Sequence, residues 1–345
     1  MSSEKYISSI DGMRAVAILL VLFSHLLKDG VVPGGLGVTF FFFISGFLIT
    51  GLLIDELDRS SSIDIKGFYI RRFMRLAPAL LTMVAVVSLT YFLAFGVSSA
   101  NEVIAAVFYF MNFYVISKGA MALPLGPLWS LAIEEHFYLV FPILVANLWK
   151  FGERFLIGLA VVCCAVLVWR IFLVSSGMPE IRTYVGTDTR IDSILFGALL
   201  AIGIRLKLNL DWLASRMAVT VSLILLLATL VIRNPTFRET ARYSIQGLAF
   251  FPLFYFILYR QSVFRTLLET PAATWIGKIS YSLYLWHFPI LAFVTPKLAP
   301  HTNPVITGSA VLGISFFLAS LSYYFVETPL RRLAPARPHP AAVTG

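Results

Sequence analysis

Eleven apolar runs recur along the chain, near 10–27, 36–54, 77–96, 103–117, 128–149, 155–175, 191–206, 213–232, 242–259, 276–296 and 304–326. A surface helix of a soluble domain must keep one polar face toward water, and these runs are apolar on every side. Most have the length of a bilayer crossing, about 20 residues. The mean hydropathy of +0.85 agrees. Only 13% of residues are charged, against about 25% in a soluble domain. The fold class predicted is all-α, a polytopic integral membrane protein. Porin-like barrels are excluded, because their strands alternate apolar and polar residues.

Charge sets the number of crossings. The run 103–117 is short for a span and is followed by the Gly/Pro-rich stretch GAMALPLGP. If it does not cross and the N-terminus is inside, 17 Lys and Arg fall in inner loops and 8 on the outer side. Counting it as a span would move the basic clusters at 205–216 and 331–337 outside, against the positive-inside bias. Ten spans are therefore expected, both termini cytoplasmic in a cell (inner or plasma) membrane, with 103–117 an outer re-entrant or interfacial segment. Residues 1–332 form the membrane domain and the Pro/Ala-rich 333–345 a disordered cytoplasmic tail. The stretch 64–76, DIKGFYIRRFMRL, suits a helix lying at the inner interface. The net charge of +9 is read as topogenic, so nucleic acid is not an expected partner. No cleavable signal is expected at the N-terminus, because the first run lacks a small-residue cleavage site. Cys163 and Cys164 are adjacent and frame neither a disulfide nor a metal site.

Ionisable side chains within spans are functional candidates by default. The first run carries Asp11, Arg14 and His25. Arg14 and His25 are eleven residues apart, three helical turns on one face, or about 16 Å. The plain alternative is that Arg14 pairs with Asp11 or snorkels while His25 marks an interface. WSLAIEEHFYLVFP brings Glu134, Glu135, His136 and Tyr138 within two turns, and Arg190 and Asp192 open a later run. His287, in YSLYLWHFP, is as well explained by a helix-packing hydrogen bond as by chemistry, and Glu327 and Arg331 read as a structural ion pair. By depth, His25, Glu134, Arg190 and Asp192 form an outer tier. Asp11, Arg14, Arg71, Arg72 and Arg75 form an inner one. Arginine forks suit phosphate, and a histidine beside a carboxylate suits general-base work. This predicts a phosphate-bearing donor entering from the cytoplasm and acid–base chemistry farther out. No GxSxG elbow, P-loop or metal-ligand spacing is present.

YISSIDGMRAVAILLVLFSHL, FFFISGFLIT, RRFMRLAPAL, WSLAIEEHFYLVFP, RIDSILFGALLA, ISYSLYLWHFPIL and YYFVETPLRR stand in this order between Tyr6 and Arg332. In this the chain resembles acyltransferase family 3, the ten-span membrane O-acyltransferases. The resemblance implies transfer of an acyl group, usually acetyl from acetyl-CoA, to a hydroxyl of a sugar, lipid-linked glycan or natural product. It carries over the Arg14/His25 pair, the Arg72-x-x-Arg75 motif and the Ser130…Glu134…Tyr138 segment. The extracellular hydrolase-like domain that some members append is not expected in a chain ending 13 residues after Arg332.

The expected site then has His25 as general base, or as a transient acyl carrier, and Glu134 orienting its imidazole. Arg14, Arg71, Arg72 and Arg75 would hold the acyl-CoA. Asp11, Ser130, Tyr138, Arg190, Asp192 and His287 remain substrate-contact or structural candidates. The expected partners are acyl-CoA, the glycan, lipid-linked sugar or natural-product acceptor and membrane lipids, with no metal; no oligomeric state is legible. The competing function is a transporter or flippase, since intramembrane Arg, His and Glu also mark transport routes; no inverted repeat supports it.

Overall fold

The computed structural model describes residues 7–27 and 32–335. Helix boundaries follow local capping chemistry. Asp64 accepts a hydrogen bond from the Gly67 amide, and Ser215, Thr270 and Asn303 cap later helices in the same way. The Thr270-Pro271 and Asn303-Pro304 pairs put proline in the first turn, where its missing N–H costs nothing. Gly96, at φ 67°, ends the third helix in the left-handed region that glycine enters without strain.

Among the described residues, ten helices have sixteen residues or more. They are α1 (Ser8–Leu26), α2 (Gly34–Ser60), α3 (Ile65–Phe95), α4 (Trp129–Leu148), α5 (Glu153–Ser175), α6 (Thr187–Arg205), α7 (Arg216–Val231), α8 (Ala241–Tyr259), α9 (Pro271–Leu298) and α10 (Pro304–Leu321). α10 runs on through a π-helical stretch, Ser322–Glu327, into Thr328–Arg332. Seven of the ten are long and apolar enough to cross a membrane: α1 to α5, α8 and α10. α7 is apolar but shorter. α6 and α9 carry more polar groups, and fourteen of the nineteen residues of α6 are buried inside the protein. A helix lined by other helices does not need an apolar lipid face.

The run 103–117 is two eight-residue helices, Ala100–Val107 and Met111–Lys118. They break where Tyr109 takes a φ of 58°. Each is about 12 Å long, less than half the hydrocarbon thickness. The buried Glu102 carboxylate accepts from the Ala122 and Leu123 amides at 2.8 Å each, which ties the following loop down. The expected separate interfacial helix over 64–76 is not formed. Those residues are the first turns of the continuous 31-residue α3, because Asp64 starts the helix and nothing stops it before Gly96. Pro78 lies inside α3, which membrane helices tolerate. Residues 336–345, most of the expected disordered tail, lie outside the described residues.

Glycine lets α2 and α6 approach at the centre. A Cβ on Gly46 would strike the Ile194 carbonyl, and one on Gly197 would strike the Phe43 carbonyl. Gly277 brings α9 equally close to the Asp11 backbone on α1. Small residues at such crossings are how helices pack without a hydrophobic drive between them.

Candidate active site

The α1, α2, α3, α4, α6, α8 and α9 helices line a cavity of about 1250 Å³. It is lined by Ile7, Asp55, Arg205 and Arg265 and also by Ser130, Glu134 and Tyr284. A second cavity of about 240 Å³ shares Arg72 and Arg75 with the first and reaches Arg331 and Pro335. The start of α1 and the end of the described chain therefore lie on one arginine-rich face.

Arg14 on α1 and Arg72 and Arg75 on α3 line the large cavity. Arg14 forms a loose ion pair with Asp11, 3.9 Å. The Arg72 guanidinium lies 4.6 Å over the Tyr138 ring and 5.8 Å from Phe68; neither it nor Arg75 forms a salt bridge among the described residues. The Arg75 Nε is buried without a hydrogen-bond partner. Arg71 differs. It is held by Glu56 at 3.3 Å and Asp64 at 3.5 Å and lines the smaller cavity.

Glu134 also lines the large cavity. Its Oε2 accepts from Ser45 Oγ at 2.9 Å and from Tyr138 Oη at 2.7 Å. One chain of contacts thus runs from Arg72 through Tyr138 to Glu134 and Ser45. Tyr284 Oη donates to the Pro127 carbonyl at 2.7 Å, so its single proton is used and Ser130 Oγ, 2.6 Å away, is the donor to it.

His25, exposed in the last turn of α1, pairs through Nδ1 with His287 Nε2 at 3.1 Å. The expected His25–Glu134 hydrogen bond is absent: Glu134 is turned into the cavity by Ser45 and Tyr138 and belongs with the arginines. The grouping of Glu134 with an outer tier is corrected accordingly. Between the cavity and the histidine pair stands Tyr284, whose ring centroid is 5.6 Å from that of His287.

Of the substrate-contact or structural candidates, Arg190 and Asp192 take structural places, and the expected Glu327–Arg331 ion pair is not formed among the described residues. Arg190 and Asp192 do not line the cavity. Asp192 is fully buried in a two-pronged pair with Arg170, which also donates to the Thr189 and Thr240 carbonyls and to Ser244. Arg190, equally buried, stacks 3.9 Å over Tyr243 and donates to Thr39 and the Tyr184 carbonyl. Glu327 forms no ion pair with Arg331 among the described residues; it is buried and accepts from Ser282 at 3.3 Å. His136 turns away from Glu134 to Thr187, 2.8 Å.

Sequence reasoning missed Ser45, Tyr284 and Arg170. Arg170, alone in CCAVLVWRIFLV, carried a signal as a charge within a span. Ser45 in FFFISGFL and Tyr284 in YSLYLWH are uncharged polar groups of a kind common in membrane helices, and nothing local distinguishes them.

Residues 7–324 match the profile of a family described as an acyltransferase domain. The O-acetyltransferase OatA of Staphylococcus aureus, from strains NCTC 8325 / PS 47 and COL, is 35% identical over 356 aligned residues. That alignment covers 96% of this chain and 58% of the relative. A protein of Staphylococcus aureus strain COL, provisionally named an O-acetyltransferase, is also 35% identical, over 95% of this chain and 58% of its own length. The chain thus spans under two thirds of the length of these curated relatives. No solved structure matches. With a family match over nearly the whole length, the chain belongs to this family of membrane acyltransferases.

Proposed function

We propose that the chain moves an acetyl group from acetyl-CoA to a hydroxyl of a sugar, lipid-linked glycan or surface polysaccharide. The observation that carries this is the single cavity that joins Arg14, Arg72 and Arg75 to Ser130, Glu134 and Tyr284. Its volume exceeds the roughly 300–1,000 Å³ of ordinary ligand sites, as a long donor needs. The names of the similar proteins support acetyl as the group transferred.

In this reading the arginines hold the CoA phosphates, and the thioester points toward Ser130 and Tyr284. The acceptor approaches His25 from the opposite face, and the acyl end must pass Tyr284 to meet it. The acceptor oxygen attacks the thioester carbonyl carbon; a C–O bond forms as the C–S bond breaks. His25 takes the hydroxyl proton and returns one to the departing thiolate. In the covalent variant the imidazole carries the acetyl group between the two steps.

The test supplies radiolabelled acetyl-CoA to membrane vesicles containing the full chain and follows label passing into envelope glycans. His25→Ala is expected to lower transfer by about 10² or more while acetyl-CoA still binds. Near-normal transfer by this variant overturns the reading. Movement of an acylated glycan with no consumption of acetyl-CoA points instead to a flippase. Acetyl-histidine trapped by acid quench selects the covalent variant.

A further inference from the structure

His287 is buried on α9, and its Nδ1 lies 2.8 Å from the Tyr284 carbonyl and 3.1 Å from the Leu283 carbonyl. Carbonyl oxygens only accept, so this nitrogen carries the proton. In a neutral imidazole the other nitrogen is then the acceptor. His287 Nε2 faces His25 Nδ1 at 3.1 Å. His25 must therefore donate from Nδ1, which leaves its Nε2 with the free lone pair. A doubly protonated His287 would need a carboxylate nearby to offset its burial, and none is hydrogen-bonded to it among the described residues.

The rings reinforce this assignment. His25 and His287 stack with centroids 5.2 Å apart and planes 18° from parallel, and Phe288 packs edge-on to His25 at 5.3 Å. The Tyr284 and Leu283 carbonyls lie three and four residues before His287 on the same helix. Rotation of His287 would break these bonds and the one to His25 together.

We propose that His287 is the positioning residue of the site: it fixes which nitrogen of His25 is the base. The proposal rests on His25 being the base. A hydrolase triad gives this task to a carboxylate, which also stabilises the imidazolium formed in the reaction. A neutral imidazole selects the tautomer and the ring plane and adds no charge. Turnover then depends on an acceptor atom at the Nε2 position of residue 287, whatever side chain supplies it.

This separates two near-isosteres. The glutamine amide reaches the Nε2 position of histidine and can accept there through Oε1. The asparagine amide is shorter and reaches only the Nδ1 position. His287→Gln should therefore retain turnover within about 3-fold of wild type, while His287→Asn and His287→Phe lose about 10- to 100-fold, with the KM for acetyl-CoA unchanged in all three. The second readout is nitrogen NMR of the full chain labelled with ¹⁵N-histidine. The sequence has five histidines, and the His25 signals are assigned by their loss in His25→Ala.

The wild-type protein is expected to show His25 protonated at Nδ1 and bare at Nε2. His287→Gln should keep that pattern, and His287→Phe should release His25 to the Nε2–H form that imidazole prefers in water. A wild-type His25 protonated at Nε2 overturns the proposal, as does an unchanged His25 tautomer in His287→Phe. A tautomer that follows residue 287 while turnover stays constant overturns the proposal, whereas near-normal transfer by His25→Ala refutes His25 as the base itself. The wild-type spectrum alone decides the tautomer if the variants do not fold.

Discussion

Arg170 and Asp192 meet through two hydrogen bonds of 2.7 and 2.9 Å, and neither side chain is exposed. Removing one member of such a pair strands a charge away from water, at a cost of about 3–5 kcal/mol. Asp192→Asn is expected to lower the thermal midpoint of the detergent-solubilised protein by several degrees. In the fraction that remains folded, the KM for acetyl-CoA should be unchanged, because the pair does not line the cavity. A KM that rises with no loss of stability would return Asp192 to the active site.

Arg72 combines a planar fork with a stack on Tyr138. Arg72→Lys keeps the charge and loses both features, so acetyl-CoA binding is expected to weaken by about 5- to 30-fold, or 1–2 kcal/mol. Tyr138→Phe keeps the ring beneath the guanidinium and should leave donor affinity within about 3-fold, whereas Tyr138→Leu should weaken it as Arg72→Lys does. Equal effects of the Phe and Leu substitutions would show that the hydroxyl, not the ring, supports the donor site.

Glu134 accepts two hydrogen bonds inside the cavity and none from His25. Glu134→Gln keeps an oxygen for Ser45 and Tyr138 but removes the negative charge among three arginines. Turnover is expected to fall by about 10-fold, more than donor affinity changes. The His25 tautomer seen by nitrogen NMR should stay as in wild type. A changed tautomer would mean that Glu134 reaches the imidazole during the reaction.

The ten long helices predict that loops on alternate sides of the chain face opposite compartments. Reporter fusions after Ser176, at the end of α5, and after Lys207, at the end of α6, should read outside and inside respectively. The reverse pair of readings would place the arginine-rich face outside and require the donor to enter from there.

Much of the fold was legible in the residues. Apolar runs of bilayer length located nine of the ten long helices closely, and the basic residues correctly demoted 103–117, since two eight-residue helices cannot reach across. The sequence reading divides α3 in two, because Lys66 and three arginines interrupt the apolar residues of its first turns. Its arginines were read as a cluster, yet Arg71 is tied to Glu56 and Asp64 while Arg72 and Arg75 face the cavity. That division depends on which way each side chain leaves α3.

The sequence by itself determined an all-helical membrane protein with arginine on one face and a His25/Arg14 pair three turns apart, because hydrophobic length, charge bias and helical repeat are local properties. Only the tertiary structure decided partners. His25 meets His287 across 262 positions, Asp192 meets an arginine on a neighbouring helix, and Glu134 turns to Ser45 on α2. These bonds depend on how closely helices approach, as they do at Gly46 and Gly277, and on the rotation of each helix about its axis. Neither quantity is written in the periodicity of helices that are apolar on every side.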